Sequence, residues 1–238
     1  MLARAIAAEW LKLKRKWILA LAVIGPLGVV LLQAVNYGLR YDYLMKQNAD
    51  DPWGGLLQAT TGLMLPALFI GLVLVASLSA GVEHAAGGWK QLLALPLTRL
   101  QVFAAKTLLT LLLLLLSCTL LAVFTLAFGA VLGFSLQELP WPDLLRQSYA
   151  PYAAAMPFVA LQIGLSLAIG NQAVPMTIGV LGMVVSLFGM LLPDWVPYNW
   201  PWLALKAETA LRAAAAGLGG GLLLLAVGCM HFTRKDVS

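Results

Sequence analysis

Residues 106–133 read KTLLTLLLLLLSCTLLAVFTLAFGAVLG, from Lys106 to Gly133. After Lys106 the stretch holds no Asp, Glu, Lys or Arg. A helix needs about 20 consecutive apolar residues to cross the hydrocarbon of a bilayer, and this run, with its leucines from Leu108 to Leu116, supplies them. The whole chain has the same character. Of its 238 residues, 61% are hydrophobic and 11% charged, and the mean hydropathy is +0.89. A soluble domain holds about 45–50% apolar and about 25% charged residues. So much apolar surface does not fit inside one water-soluble core, which makes the chain an all-α integral membrane protein.

Working outward from that run, five further apolar stretches reach bilayer length. The six expected spans are about 18–37 (with Gly25-Pro26), 57–80 (with Pro66), 106–133, 150–170 (with Pro157), 174–192 (opening at Pro175) and 214–232. Proline is tolerated in such helices because neighbouring groups satisfy the carbonyls it frees. Residues 1–17 read as an interfacial elbow helix. Leu2, Ile6, Trp10, Leu13 and Trp17 recur every three or four residues, and Arg4, Lys12, Lys14, Arg15 and Lys16 supply charge elsewhere, the pattern of a helix lying in the headgroup plane. No small-residue cleavage site follows, so the first span is expected to be retained.

The net charge of +5 comes from cations at span ends. An even number of spans puts both termini on one side. That side collects Arg4, Lys12, Lys14, Arg15, Lys16, Lys90, Arg99, Lys106, Arg234 and Lys235, against Arg40, Lys46, Arg146, Lys206 and Arg212 opposite. Cytoplasmic loops carry the excess of Lys and Arg, so both termini are expected in the cytoplasm. Residues 81–105 then form a cytoplasmic loop, in which Glu83, Lys90 and Arg99 are separated by apolar residues in the manner of a short amphipathic helix. The outer segments are short. Of these, 193–213 is densest in aromatics, with Trp195, Tyr198, Trp200 and Trp202, and reads as an aromatic belt or as re-entrant half-helices. Gly129-xxx-Gly133 and Gly217-xxx-Gly221 have the spacing that lets membrane helices approach closely.

Few residues offer chemistry. Lys106-Thr107 follows Ala105, with no glycine-rich loop before it, so no Walker A phosphate site is present. Two histidines and two scattered cysteines, Cys118 and Cys229, make neither a metal site nor a disulfide framework. No carboxylate falls well inside a span, which argues against a proton- or ion-driven pump. The charge pattern is no nucleic-acid footprint. One enzymatic alternative is an intramembrane serine protease of the rhomboid-like kind, pairing Ser166 on span four with His231 on span six. There Leu167 stands where the expected motif has glycine, and Ser166 reads more simply as a packing hydroxyl. A third reading is a docking or sensory subunit that transports nothing.

Three stretches resemble the ABC-2 type permeases, the membrane subunits of ATP-binding-cassette exporters. Ala8-Glu9-Trp10-Leu11-Lys12-Leu13-Lys14-Arg15 is similar to the family's opening acidic residue and Leu-Lys-x-Lys-Arg. The loop carries Glu83, then Trp89-Lys90-Gln91, then Leu95-Pro96-Leu97-Thr98-Arg99, with Lys106 opening span three. Phe232-Thr233-Arg234-Lys235-Asp236 matches the family's aromatic–basic–Asp finish. Within the family the chain most resembles the short permeases of lantibiotic-immunity and bacitracin-resistance exporters. The resemblance implies a coupling helix in the loop, seated on a partner ATPase, with Glu83, Lys90 and Arg99 as its contacts. It implies two ATPase subunits, which hold the ATP and magnesium, and a second permease subunit, identical or a sister chain. This chain itself would need no cofactor. The implied cargo is an amphipathic antimicrobial peptide or antibiotic taken from membrane lipid, and the implied location is the bacterial cytoplasmic membrane, crossed many times.

Overall fold

The computed structural model describes residues 6–7, 9–11, 17–85 and 98–234, with only the backbone of Glu83 and Ala85. The expected elbow helix is therefore described only in part: Glu9, Trp10 and Leu11 are helical. Residues 86–97 of the expected coupling loop, Lys90 among them, lie outside the described residues. Within them the protein is all helix and turn, with no strand. The helices are α1 (Ile18–Gln47), α2 (Pro52–Ala85), α3 (Arg99–Val131), α4 (Trp141–Ala154), α5 (Met156–Ala168), α6 (Ala173–Leu187), α7 (Trp200–Leu203) and α8 (Ala210–Arg234).

Among the described residues, α1, α2, α3 and α8 are each long and apolar enough to cross a membrane. A fifth crossing is made if α4 and α5, bent by 45°, count as one span. The expected span at 150–170 thus contains a break at Ala155, and its helix starts earlier, at Trp141. Proline sits on both sides of the break. Pro157 has no amide to reach the Ala153 carbonyl, which interrupts the hydrogen-bond ladder there. The expected fifth crossing at 174–192 is a 15-residue helix, α6, followed by a 3-10 turn at Gly189–Leu191.

α2 and α3 run to 34 and 33 residues, about 50 Å each at 1.5 Å per residue. Both are longer than the expected spans and exceed the roughly 30 Å of hydrocarbon in a bilayer. Each apolar helix end has a local cause. α3 begins at a capping box: the Thr98 hydroxyl accepts from the Gln101 amide and the Gln101 side chain accepts from the Thr98 amide. It stops at Gly133, whose φ of +85° suits glycine. Gly133 donates to the Ala130 carbonyl and Phe134 to that of Gly129, a Schellman closure. Inside α1, Pro26 cannot donate to the Ala22 carbonyl. The Ser117 hydroxyl of α3 donates to it instead, at 2.9 Å, and so the kink is satisfied from a neighbouring helix.

The core runs along α2, which packs on α1, α3, α5 and α6. Phe69, Leu72, Val73, Leu113, Val159 and Ile163 are its buried centre. A second cluster lies near the α1–α2 turn. There Trp53, 1% exposed, donates to the Ser135 carbonyl and stacks edge-on with Phe134. Gly129 leaves room for the Trp53 ring, which a Cβ would strike. Gly129-xxx-Gly133 is thus a tryptophan seat and a helix stop, not a helix-pairing motif. The other spaced pair does pair helices: a Cβ at Gly217 or Gly221 of α8 would strike the backbone of Ala153 and Ala154, or Met156.

The aromatic segment after α6 contains no half-helix. It folds into a 3-10 turn at Pro197–Asn199 and the four-residue α7. Asn199, 4% exposed, donates to the Leu192 carbonyl and to Asp194, and the Trp202 indole donates to the Ser186 carbonyl. Large apolar side chains such as Leu181, Leu211, Leu222 and Leu223 remain exposed along α6 and α8, as expected for surfaces that face lipid or another subunit.

Candidate functional site at the basal end

The start of α1, the end of α2, the start of α3, the α5–α6 turn and the end of α8 gather at one end of the bundle, the basal end. It is also where both flanks of the 86–97 connection emerge. Polar side chains concentrate there although the helices are apolar. Lys106, the eighth residue of α3, lies about 10 Å along that helix. It is 2% exposed, yet its ammonium donates to Glu9 at 2.7 Å and to the Ser79 carbonyl at 3.3 Å. Glu9 itself is 6% exposed. Both charges are out of water and lie against each other, and removing one partner of such a pair costs about 3–5 kcal/mol.

Two buried charges thus meet at the basal end, Lys106 at the opening of its span and Glu9 ahead of α1. The sequence places Lys106 by its side of the membrane and Glu9 only by its motif. Glu9 stands in the N-terminal motif and Lys106 after the loop motif, 97 positions apart. Opposite charges in two separate motifs were the available signal, but a charge count assigns both to water.

Arg99, the first residue of α3, donates from its guanidinium to the Thr233 carbonyl at 3.2 Å. It thereby ties the exit of the 86–97 connection to the end of α8, and with it the loop motif to the C-terminal one. Glu83 has a described backbone in the last turn of α2 but no described side chain, and Lys90 lies outside the described residues. His84, which had no expected role, holds the other flank: its Nε2 lies 3.2 Å from the Ser166 carbonyl of α5. That carbonyl also accepts from Gln172 at 2.9 Å. Behind it, the Ser77 and Ser166 hydroxyls share a hydrogen bond at 3.1 Å, and the Gln162 amide donates to Ser77 and to the Pro175 carbonyl.

The same contacts bear on the enzymatic alternative. Ser166 is fully buried and its hydroxyl is engaged with Ser77. His231 is exposed on α8 and lines a different cavity with Phe103 and Gly164. No hydrogen bond joins Ser166 to His231 among the described residues. The described residues contain no group of three His, Cys, Asp or Glu able to hold a metal.

Comparison with known families places the whole chain. A family model described as ABC-2 family transporter protein matches residues 5–186. The chain belongs to the ABC-2 transporter family. No curated protein and no solved structure matches it. The ABC-2 match covers Glu9, the α2–α3 connection and Lys106, and so includes both charged partners of the basal end. It also makes the chain a multi-pass membrane component of an ABC transporter system, in keeping with its apolar helices.

Proposed function

We propose that this ABC-2 chain is the permease subunit of an ATP-binding-cassette exporter. It has six spans with both termini in the cytoplasm of a bacterium. α6 is the short crossing, and residues 81–105 form the coupling element. ATP and magnesium belong to two copies of a separate ATPase, and a second permease subunit, identical or a sister chain, completes the assembly. The cargo is an amphipathic antimicrobial peptide or antibiotic drawn from the membrane, for immunity or resistance.

One observation carries the coupling role. Both flanks of the 86–97 connection are tied to other elements, His84 to α5 and Arg99 to α8. A displacement at either flank is thereby passed by His84 to the end of α5 and by Arg99 to the end of α8. Glu83, Lys90 and Arg99 are the proposed ATPase contacts. The test is purification of the tagged chain from its native membrane. A Walker-bearing ATPase should accompany it, and Lys90→Glu or Arg99→Glu should weaken cargo-stimulated ATP hydrolysis. Absence of an ATPase, or hydrolysis indifferent to both substitutions, sinks the reading.

A further inference from the structure

A cavity of about 720 Å³ opens at the basal end, between the start of α1, the last turns of α2 and the α5–α6 turn. Pockets that hold small molecules measure about 300–1,000 Å³. Ile18, Leu78 and Met176 form apolar walls, and Ser77, Asn171 and Gln172 supply polar groups. None of its described lining residues is Asp, Glu, Lys or Arg. His84 lines it as well, and among the described lining residues no carboxylate, lysine or arginine offsets the hydration that a charged ligand would lose.

The polar groups are held in fixed roles. The Gln172 amide nitrogen donates to the Ser166 and Ile169 carbonyls. Its oxygen is thereby left buried with no hydrogen-bond partner, a state that costs about 1–3 kcal/mol. The Asn171 oxygen accepts from the Ala173 amide, which leaves its own N–H groups to donate. A hydroxyl group both donates and accepts, and so answers both residues at once.

We propose that this cavity binds the neutral, hydroxyl-bearing head of a single-chain amphiphile. The head bonds to Gln172, after a small shift of that side chain, and to Asn171. The hydrocarbon lies against Ile18, Leu78 and Met176. Glycine keeps the space open: Gly170 lines the cavity, and among the described residues a Cβ there would meet only His84 Nδ1, at an ordinary 3.7 Å. A larger side chain at Gly170 therefore starts from a Cβ clear of the described backbone, at the wall of the pocket.

The test uses the full chain in liposomes with a monoacylglycerol carrying a photoactivatable diazirine in its acyl chain, with crosslinks mapped by mass spectrometry. Labelling is expected on residues 76–84 and 170–176. Gly170→Leu should reduce it about tenfold, a discrimination within reach of one lost contact set. Excess unlabelled monoacylglycerol should compete on the unaltered chain, and equal phosphatidylglycerol should not. Labelling elsewhere, or labelling at these residues that monoacylglycerol does not displace, overturns the site. Equal competition by the anionic lipid overturns the neutral head. No ATPase is present in this experiment, so its outcome is separate from that of the exporter reading.

Discussion

At the scale of single residues, the Lys106–Glu9 pair concentrates the energetic risk. Its worth lies in what happens when it is halved. Lys106→Met takes from the buried Glu9 carboxylate the ammonium that lies 2.7 Å from it. We expect a loss of about 3–5 kcal/mol, and recovery of most of it in Glu9→Leu with Lys106→Met, because an apolar pair of similar size removes the buried carboxylate as well. Thermal unfolding in detergent measures both. A single variant that melts like the parent would show that the pair is dispensable. Ser117 makes a second, smaller case. Ser117→Ala leaves the Ala22 carbonyl beside Pro26 without its donor, at a cost of about 1–3 kcal/mol, and Thr119→Ala, whose hydroxyl bonds only within its own helix and to Tyr149, is the milder comparison. Neither pairing was legible in the sequence. Lys106 and Ser117 are read correctly as belonging to a span, but partners 97 and 95 positions away leave no local periodicity to detect.

At the scale of elements, long apolar helices were plain from hydropathy, while their ends and breaks depended on local chemistry. Thr98 with Gln101 starts α3 and Gly133 stops it, and both are capping signals that hydropathy does not weigh. The α4–α5 break is different. Pro157 alone is compatible with a gently kinked span, as Pro26 and Pro66 show within α1 and α2. At Ala155 the break is met by the glycines of α8, which let the backbones touch. Two glycine pairs with identical spacing therefore serve different ends, and only contacts distinguish them. Gly217→Val and Gly221→Val should each lower stability by about 1–3 kcal/mol through overpacking. Gly219→Ala lies between them with nothing within 4 Å of its Cβ, and should leave the melting temperature unchanged or raise it slightly. If all three substitutions behave alike, α8 is not seated through Gly217 and Gly221.

For the molecule as a whole, the open quantity is parity: six crossings place the termini on one side, five place them on opposite sides. α6 decides it. Its 15 residues span about 22 Å, short of the roughly 30 Å hydrocarbon thickness. Yet α6 leaves the basal end beside Gln172 and reaches Trp202 at Ser186, and Trp202 in turn packs with Val29, Met64 and Leu121. From there α8 returns to the basal end, where Thr233 accepts from Arg99. A helix that had turned back would have left α8 starting at the basal end instead. The cations agree, since the basal end collects Arg99, Lys106 and Arg234 while Arg146, Lys206 and Arg212 lie opposite. Alkaline phosphatase, active only outside the cytoplasm, should therefore be active when fused after Asn48, Gln137 or Asp194. It should be inactive when fused within 86–97 or after Ser238. Activity after Ser238 together with inactivity within 86–97 would mean that α6 does not cross, and the short helix would then be a re-entrant element between α2 and the aromatic turn.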